Sequence, residues 1–170
     1  IMLWGETAYG VYPDEGVCAM ARIAEHVATK MVSYPDRHVK NTFEDIQAYV
    51  AIAAAKSVSE LNVEAIVIPT RTGGTVRQVS AHRPAAPIYA ACYEPNALRQ
   101  LALSYGVSAY TITNDKRLEV AKDSLEALKN DKLQGDDLVA FIMTTPGSPD
   151  GETNQLEINT VDAIIEIRSA

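Results

Sequence analysis

The sequence has little cysteine, no long apolar run and a shortage of positive charge. Its two cysteines, Cys18 and Cys92, are far apart and share no CxxC or Cys/His spacing. This pattern argues against a metal site and favours two reduced, partly buried thiols of a cytosolic protein. No apolar run approaches the roughly 20 residues that span a bilayer, and the first residues lack the zones of a signal peptide. We therefore predict a cytoplasmic protein with no membrane partner.

The charge balance excludes a further class of partners. Acidic residues outnumber basic ones, 22 against 15, and the net charge is -7. Nucleic acids bind proteins through basic surfaces, so no nucleic-acid partner is expected, although a local basic pocket remains possible. Hydrophobic residues make up 47% and charged residues 22% of the 170 residues. Such a composition is typical of a globular chain that forms one domain, with room for an appendage.

Signals of common catalytic sites are also missing. His26, His38 and His82 are scattered, with no carboxylate or cysteine at ligand spacing, and no serine lies in a GxSxG sequence. Asp136 and Asp137 are adjacent and could act as a pair of acids, although a turn that leads into a strand is the commoner reason for a QGDD sequence. The residues themselves therefore predict no metal ligand and no nucleophilic hydrolase.

Residues 1–38 are predicted to differ in origin from the rest of the chain. IMLWGETAYG combines an apolar strand end with a glycine-bounded polar loop, and apolar residues then recur at helical spacing over residues 13–32. The polar connector SYPDRHVKN follows and marks the domain boundary. One strand and one helix cannot form a core, so we interpret residues 1–38 as the last strand and helix of a larger barrel. Residues 39–170 form the main domain.

Residues 39–170 alternate between helical patterns and apolar, β-rich runs. A helix that ends at Leu61 comes first, and the predicted strands are AIVIP, PIYAACY, VSAYTIT and DLVAFIMTT. Between them lie the helical pattern TVRQVSAHR, a helix with Leu98 and Tyr105 on one side, and a helix over residues 115–131. Continuous apolar strands between helices indicate a parallel sheet covered on both faces. The alternating QLEINTV adds an antiparallel edge strand, giving a doubly wound α/β domain with a mostly parallel five-stranded sheet.

The segment TRTGGT stands where the first predicted strand ends and a helix begins. Ligands of doubly wound sheets bind outside the carboxyl ends of strands. The two glycines let the backbone turn and point N–H groups inward, while the three hydroxyls and the arginine can bond an anion. The predicted phosphate ligands are Thr70, Arg71, Thr72, Gly73, Gly74 and Thr75.

The chemistry of this segment leaves two interpretations open. One is a phosphate cradle, and the other is a glycine turn whose threonines cap a helix and bind nothing. The segment matches neither GxGxxG nor GxxxxGK[ST], and it has no lysine where a nucleoside triphosphate site would need one.

Several segments resemble motifs of the pyruvate kinase family. IMLWGETAYGVYPDEGV is similar to the MLSGETAxGxYPxEAV signature near the end of that family's catalytic barrel. AIVIPTRTGGTVRQVSAHRPAAPIYA resembles AIVVxTxSGxTAxxVSxyRPxAPIxA, LRQLALSYGV resembles ARQLxLxxGV, and GDDLVAFIMTTPGSPDGETNQLEI resembles GDxVVxxxGxPxxxxGTTNxxxV. The similar segments follow the family's order over nearly the whole chain. They correspond to the end of the barrel and the C-terminal regulatory domain.

The resemblance implies a parent enzyme of glycolysis that transfers a phosphoryl group from phosphoenolpyruvate to ADP. Such an enzyme uses magnesium and usually potassium, and it is a cytoplasmic homotetramer. The family's catalytic lysine and acidic metal ligands precede the segment that matches Ile1, so the 170-residue fragment is expected to be inactive by itself. In regulated members, the loop that matches Thr70–Thr75 holds the phosphate of a sugar phosphate or nucleotide monophosphate effector.

Three departures from the family pattern limit what the resemblance implies. Trp4 stands where the family has serine, and Gly74 replaces a frequent arginine. The loop Pro146–Glu152 is shorter than in members that close it over fructose bisphosphate, and it has no basic residue. Phosphate binding is thus better supported than fructose bisphosphate specificity. A structural oligomerisation module without a ligand and a free-standing phosphate-binding α/β protein are the alternatives.

Overall fold

The structure is a computed structural model, and it describes residues 5–28, 30, 46–113, 119–129, 131–145 and 153–167. The chain divides into two compact units, Ile1–Ser33 and Tyr34–Ala170. The predicted boundary after residue 38, the strand end before Gly5 and the loop Pro146–Glu152 lie outside the described residues.

The first unit contains two helices, α1 (Gly5–Ala8) and α2 (Pro13–Ala28). α1 is a single turn that lies where the sequence predicted a polar loop. Pro13 suits the start of α2 because the first helical residue needs no N–H partner, and Asp14 and Glu15 complement the positive end of the helix. None of the α2 residues is buried, as expected of a helix whose apolar side has no core of its own.

The second unit is built around one sheet. In chain order its elements are α3 (Ile46–Leu61), β1 (Ala65–Thr70), α4 (Gly74–Ala81), β2 (Ile88–Cys92), α5 (Pro95–Leu101), β3 (Val107–Thr111), α6 (Val120–Lys129), β4 (Leu138–Met143), β5 (Gln155–Thr160) and α7 (Val161–Ile167). The strand order is β3-β2-β1-β4-β5. The first four strands are parallel, and β5 runs antiparallel to β4 at the edge. The predicted fold class is confirmed.

The central strand β1 separates two apolar cores. Successive side chains of a strand point to opposite faces, so Ile66 and Ile68 pack into the core that α3, α4 and α5 cover. Ala65 and Val67 pack into the core that α6 and α7 cover. Burial on both faces explains why this strand is a continuous apolar run. It also fixes the position at which Thr70, the last residue of the strand, leaves the sheet.

Two elements of the second unit differ from the prediction. The helix predicted to include Tyr105 ends at Leu101, because the chain turns back into β3 through Gly106, whose φ of 68° is left-handed. Tyr105 is held in that turn, where its carbonyl oxygen accepts a bond from Ser80 Oγ at 2.8 Å. The second difference is α7, which the sequence analysis missed. Thr160 marks its start, since its Oγ1 accepts a bond from the N–H of Ala163.

The described residues include both cysteines and the helices α1 to α7. Both thiols are free, and Cys92 is buried, but Cys18 is exposed on α2 rather than partly buried. Across the described ranges, every helix is too short or too polar to cross a membrane.

Tyr110 links the edge strand β3 to α6 and gives the fold a pH dependence. Its hydroxyl donates to the carbonyl oxygen of Ser124 at 2.8 Å, and burial raises the pKa of this phenol above its ordinary value of about 10. A raised pKa in the folded state means that the neutral phenol stabilises the fold fully below the unfolded-state pKa. This stabilisation is lost progressively as the pH rises above that value.

We therefore expect the free energy of unfolding to fall between about pH 9 and about pH 11, and to fall less in Tyr110→Phe. Urea denaturation at both pH values gives the free energy of unfolding of each protein, and the difference between the two values measures the fall. Tyr49→Phe is the matched control, because that side chain is 68% exposed. The free energy of unfolding of this variant should fall as much as that of the unchanged protein. An equally steep fall in Tyr110→Phe would contradict the assignment.

Candidate functional site

Residues 71–73 connect β1 to α4 at the carboxyl end of the central strand. Gly73 is the N-cap of α4 and has a left-handed backbone, with φ 78° and ψ 9°. Its N–H donates to Thr70 Oγ1 at 2.9 Å, so the turn is closed by the side chain of the last strand residue. Gly74 has no positive φ and is the first helical residue. The sharp turn is therefore made by one glycine of the pair.

The first amides of α4 have no acceptor within the helix. The N–H of Arg77 bonds the carbonyl oxygen of Gly73 at 3.0 Å, and by helix geometry the N–H groups of Gly74, Thr75 and Val76 precede this bond. These amides also carry the positive end of the helix dipole. They are the feature of the loop that is best suited to an anion.

The three predicted hydroxyls have different surroundings. Thr70 is buried, and its Oγ1 accepts the Gly73 bond. Thr75 is also buried, and its Oγ1 contacts Gln47 Nε2 at 2.8 Å and Thr153 Oγ1 at 2.7 Å. Thr72 alone among the three is exposed. A ligand in solution can therefore reach Thr72 directly, whereas the other two hydroxyls first serve the protein's own hydrogen bonds.

Two arginines border the loop. Arg71 is exposed, and its guanidinium lies 5.0 Å from the ring centroid of Tyr93, a cation–π contact that limits where its charge can go. Arg77 is exposed as well and donates from Nη1 to the carbonyl oxygen of Thr72 at 3.1 Å. The sequence analysis did not single out Arg77. Its signal was its position four residues after Gly73, which returns a helical side chain to the start of the helix.

Gln47 and Thr153 were also missed by the sequence analysis. Gln47 is the second residue of α3, and Thr153 lies shortly before β5. Both are far from the loop in sequence, and neither belongs to a local motif. They meet Thr75 because α3 packs against α4 and because β5 pairs with β4.

His38 lies outside the described residues, and the other candidate groups with a described position do not form a second site. Asp137 Oδ2 accepts the N–H of Gln134 at 2.7 Å, so the two aspartates belong to a turn that leads into β4. His82 caps the far end of α4, where burial lowers the pKa of its imidazole. Among the residues with a described position, no three His, Cys, Asp or Glu side chains are grouped so that they could hold a metal ion.

The sheet order, the two helical layers and the glycine turn at the central strand define a doubly wound α/β domain with a candidate ligand loop at its carboxyl edge. The model of the pyruvate kinase alpha/beta domain matches residues 48–159, and the chain belongs to this family. Pyruvate kinase of Clostridium acetobutylicum is 35% identical over 95% of this chain and 35% of its own length. Pyruvate kinase of Borreliella burgdorferi is 33% identical over 99% of this chain and 36% of its own length.

A solved structure shows the same architecture. The crystal structure of Cryptosporidium parvum pyruvate kinase superposes with a TM-score of 0.77 at 25% identity, over 94% of this chain and 32% of that one. The chain thus spans about a third of the length of the relatives it matches. The predicted family is confirmed.

Gly73 allows a direct test of how tightly the loop is built. A Cβ at this position would lie 3.0 Å from Leu101 Cδ2 and 3.0 Å from Arg77 Nη1, whereas a Cβ at Gly106 would meet nothing within 4 Å. Both glycines have a left-handed φ. Gly106→Ala is therefore a matched control that carries the backbone strain without the close contacts.

We expect Gly106→Ala to lower the free energy of unfolding by about 1–2 kcal/mol through strain alone. Gly73→Ala should cost about 1 kcal/mol more, because a methyl group is forced against Leu101. Urea denaturation of both variants, analysed with one shared m value, measures the difference in the free energy of unfolding. Equal losses in the two variants would show that the contact with Leu101 does not constrain the loop.

Proposed function

We propose that this chain is the C-terminal regulatory domain of a pyruvate kinase and that its Thr70–Thr75 loop binds the phosphate group of an effector. The observation that carries the proposal is the row of amides without an intrahelical acceptor at the start of α4, beside the left-handed Gly73. Helix starts of this kind bind phosphate through N–H groups and the helix dipole. The family match includes the loop, which adds support from ancestry.

The parent activity is part of the same proposal. The whole protein would transfer a phosphoryl group from phosphoenolpyruvate to ADP in glycolysis, as a cytoplasmic homotetramer whose catalytic barrel contacts this domain. Phosphoryl transfer needs cations placed around the moving group. The described residues contain no cluster that fits a metal ion, so we assign no step in this domain to magnesium or potassium.

The charges at the loop favour a phosphate monoester as the effector. Arg71 and Arg77 bring two positive charges to an otherwise acidic protein, and a charged donor strengthens a hydrogen bond to phosphate. Two cations and three amides match a single dianionic group. A sugar phosphate or a nucleotide monophosphate fits this description equally well.

A structural oligomerisation module is the second candidate. It is favoured by the inward hydrogen bonds of Thr70 and Thr75, which connect the loop to the protein's own groups. Ile46 and Tyr49 on α3 are also exposed, at 64% and 68%. If this candidate is correct, light scattering should show association that does not depend on any phosphate compound.

Calorimetric titration with fructose bisphosphate, a sugar monophosphate and AMP tests the proposed site. We expect at least one of them to bind, and Thr72→Ala to weaken that binding about tenfold or more, because it removes the exposed hydroxyl that can donate to a charged group. Thr113→Ala is the matched control, since this exposed threonine follows β3, two strands away from β1. Its affinity should be unchanged.

Two results would contradict the phosphate site. One is the absence of heat with all three compounds. The other is binding that Thr72→Ala and Arg71→Ala leave unchanged, which would place the ligand elsewhere on the protein.

A further inference from the structure

Three side chains from distant parts of the chain meet at one oxygen atom. Thr75 Oγ1 lies 2.8 Å from Gln47 Nε2 and 2.7 Å from Thr153 Oγ1, and both threonines are buried. The three residues belong to the start of α3, the start of α4 and the segment before β5. We call this group the Thr75 triad.

The triad borders the opening of the candidate loop. A Cβ built on Gly74 would lie 3.7 Å from Thr72 Oγ1 and 3.9 Å from Gln47 Nε2. The exposed hydroxyl of Thr72 and the amide of Gln47 are therefore on the same side of Gly74. An anion that reaches the first amides of α4 beside Thr72 also approaches the triad.

The hydrogen-bonding capacity of a hydroxyl limits how the triad can be arranged. Thr75 Oγ1 has one proton and two lone pairs, and Gln47 Nε2 donates to one of the lone pairs. If Thr75 donates to Thr153, its proton is used within the protein. If Thr153 donates instead, both lone pairs of Thr75 Oγ1 are filled and its proton is left for a further acceptor.

We propose that Gln47 and Thr153 are positioning residues for anion binding, which hold the hydroxyl of Thr75 as a donor to a phosphate oxygen at the start of α4. The inference rests on the proposed function and adds the residues that act on the ligand through Thr75. A hydroxyl that accepts two bonds is polarised and donates more strongly. An anion thus selects the arrangement in which Thr153 donates to Thr75.

The same geometry connects the site to the rest of the domain. Thr153 precedes β5, which is the edge strand of the sheet, and Gln47 begins α3. Because both are bonded to one hydroxyl, an anion that orders this hydroxyl also stabilises the positions of β5 and α3. Binding at the loop is therefore coupled to two elements that do not touch the ligand.

Titration of the full chain with inorganic phosphate tests the triad. Gln47→Met and Thr153→Val keep the side-chain size but remove one donor each, and we expect each to weaken phosphate binding about three- to tenfold, the equivalent of one hydrogen bond. Thr153→Ser restores the hydroxyl and should bind phosphate within about twofold of the unchanged protein. Gln100→Met is the matched control, because Gln100 is exposed on α5, and it should have no effect.

The same substitutions made in the Thr75→Val variant distinguish a positioning role from a general loss of structure. In Thr75→Val the hydroxyl is absent, so adding Gln47→Met or Thr153→Val should weaken phosphate binding no further. Thermal unfolding of every variant verifies that the compared proteins are folded, and the Thr153→Val and Thr153→Ser pair is sufficient if Gln47→Met does not fold.

The outcomes distinguish this inference from the proposed function. Phosphate binding that Thr72→Ala weakens but Gln47→Met and Thr153→Val do not would overturn the positioning role and leave the phosphate site intact. Equal losses with and without the Thr75 hydroxyl would overturn it as well. Absence of phosphate binding in the unchanged chain would overturn the positioning role, and absence of binding of the three phosphorylated compounds as well would overturn both proposals together.

Discussion

The left-handed turn at Gly73 is the constraint on which the rest of the site depends. The chain leaves the central strand at Thr70 and must enter α4 within three residues, and a Cβ at Gly73 would lie only 3.0 Å from both Leu101 Cδ2 and Arg77 Nη1. The Thr70 hydroxyl closes this turn by accepting the Gly73 N–H. Because the turn is fixed at both ends, the first amides of α4 are presented at the carboxyl edge of the sheet with little freedom to relax.

The sheet determines the position of the turn at Gly73. β1 has a parallel neighbour on each side and a core on each face, so it cannot shift without breaking contacts in every direction. A loop on such a strand is held more rigidly than one on an edge strand. This physical reason explains why a ligand site of a doubly wound fold is placed next to its central strands.

The side chains of the loop are divided between folding and the proposed binding role. A purely exposed cradle would leave polar groups free for a ligand, but here Thr70 and Thr75 are buried and bonded within the protein. Of the three loop hydroxyls, only that of Thr72 is exposed, and the first amides of α4 have no acceptor within the helix. The hydrogen bonds of Thr70 and Thr75 within the protein hold the loop in place. Those of Thr75 reach Gln47 on α3 and Thr153, which lies shortly before β5.

The amino-acid sequence by itself determined the fold class. Apolar runs such as AIVIP and DLVAFIMTT must be buried on both faces, which requires a parallel sheet with two helical layers, and the TRTGGT segment had to follow the first strand. The sequence did not predict α7, because Val161 continues the alternation of QLEINTV and the capping role of Thr160 is visible only when its Oγ1 meets the N–H of Ala163. Local patterns report the backbone period, but they do not show which residue ends it.

Only the tertiary structure decided how the candidate site is assembled. The sequence located the loop, since glycines and hydroxyls at a strand end are a local signal. It did not indicate which hydroxyls point inward, that Arg77 returns to Thr72, or that Gln47 and Thr153 meet at Thr75. These contacts join residues up to 78 positions apart, and they exist because helix packing and strand pairing bring them together.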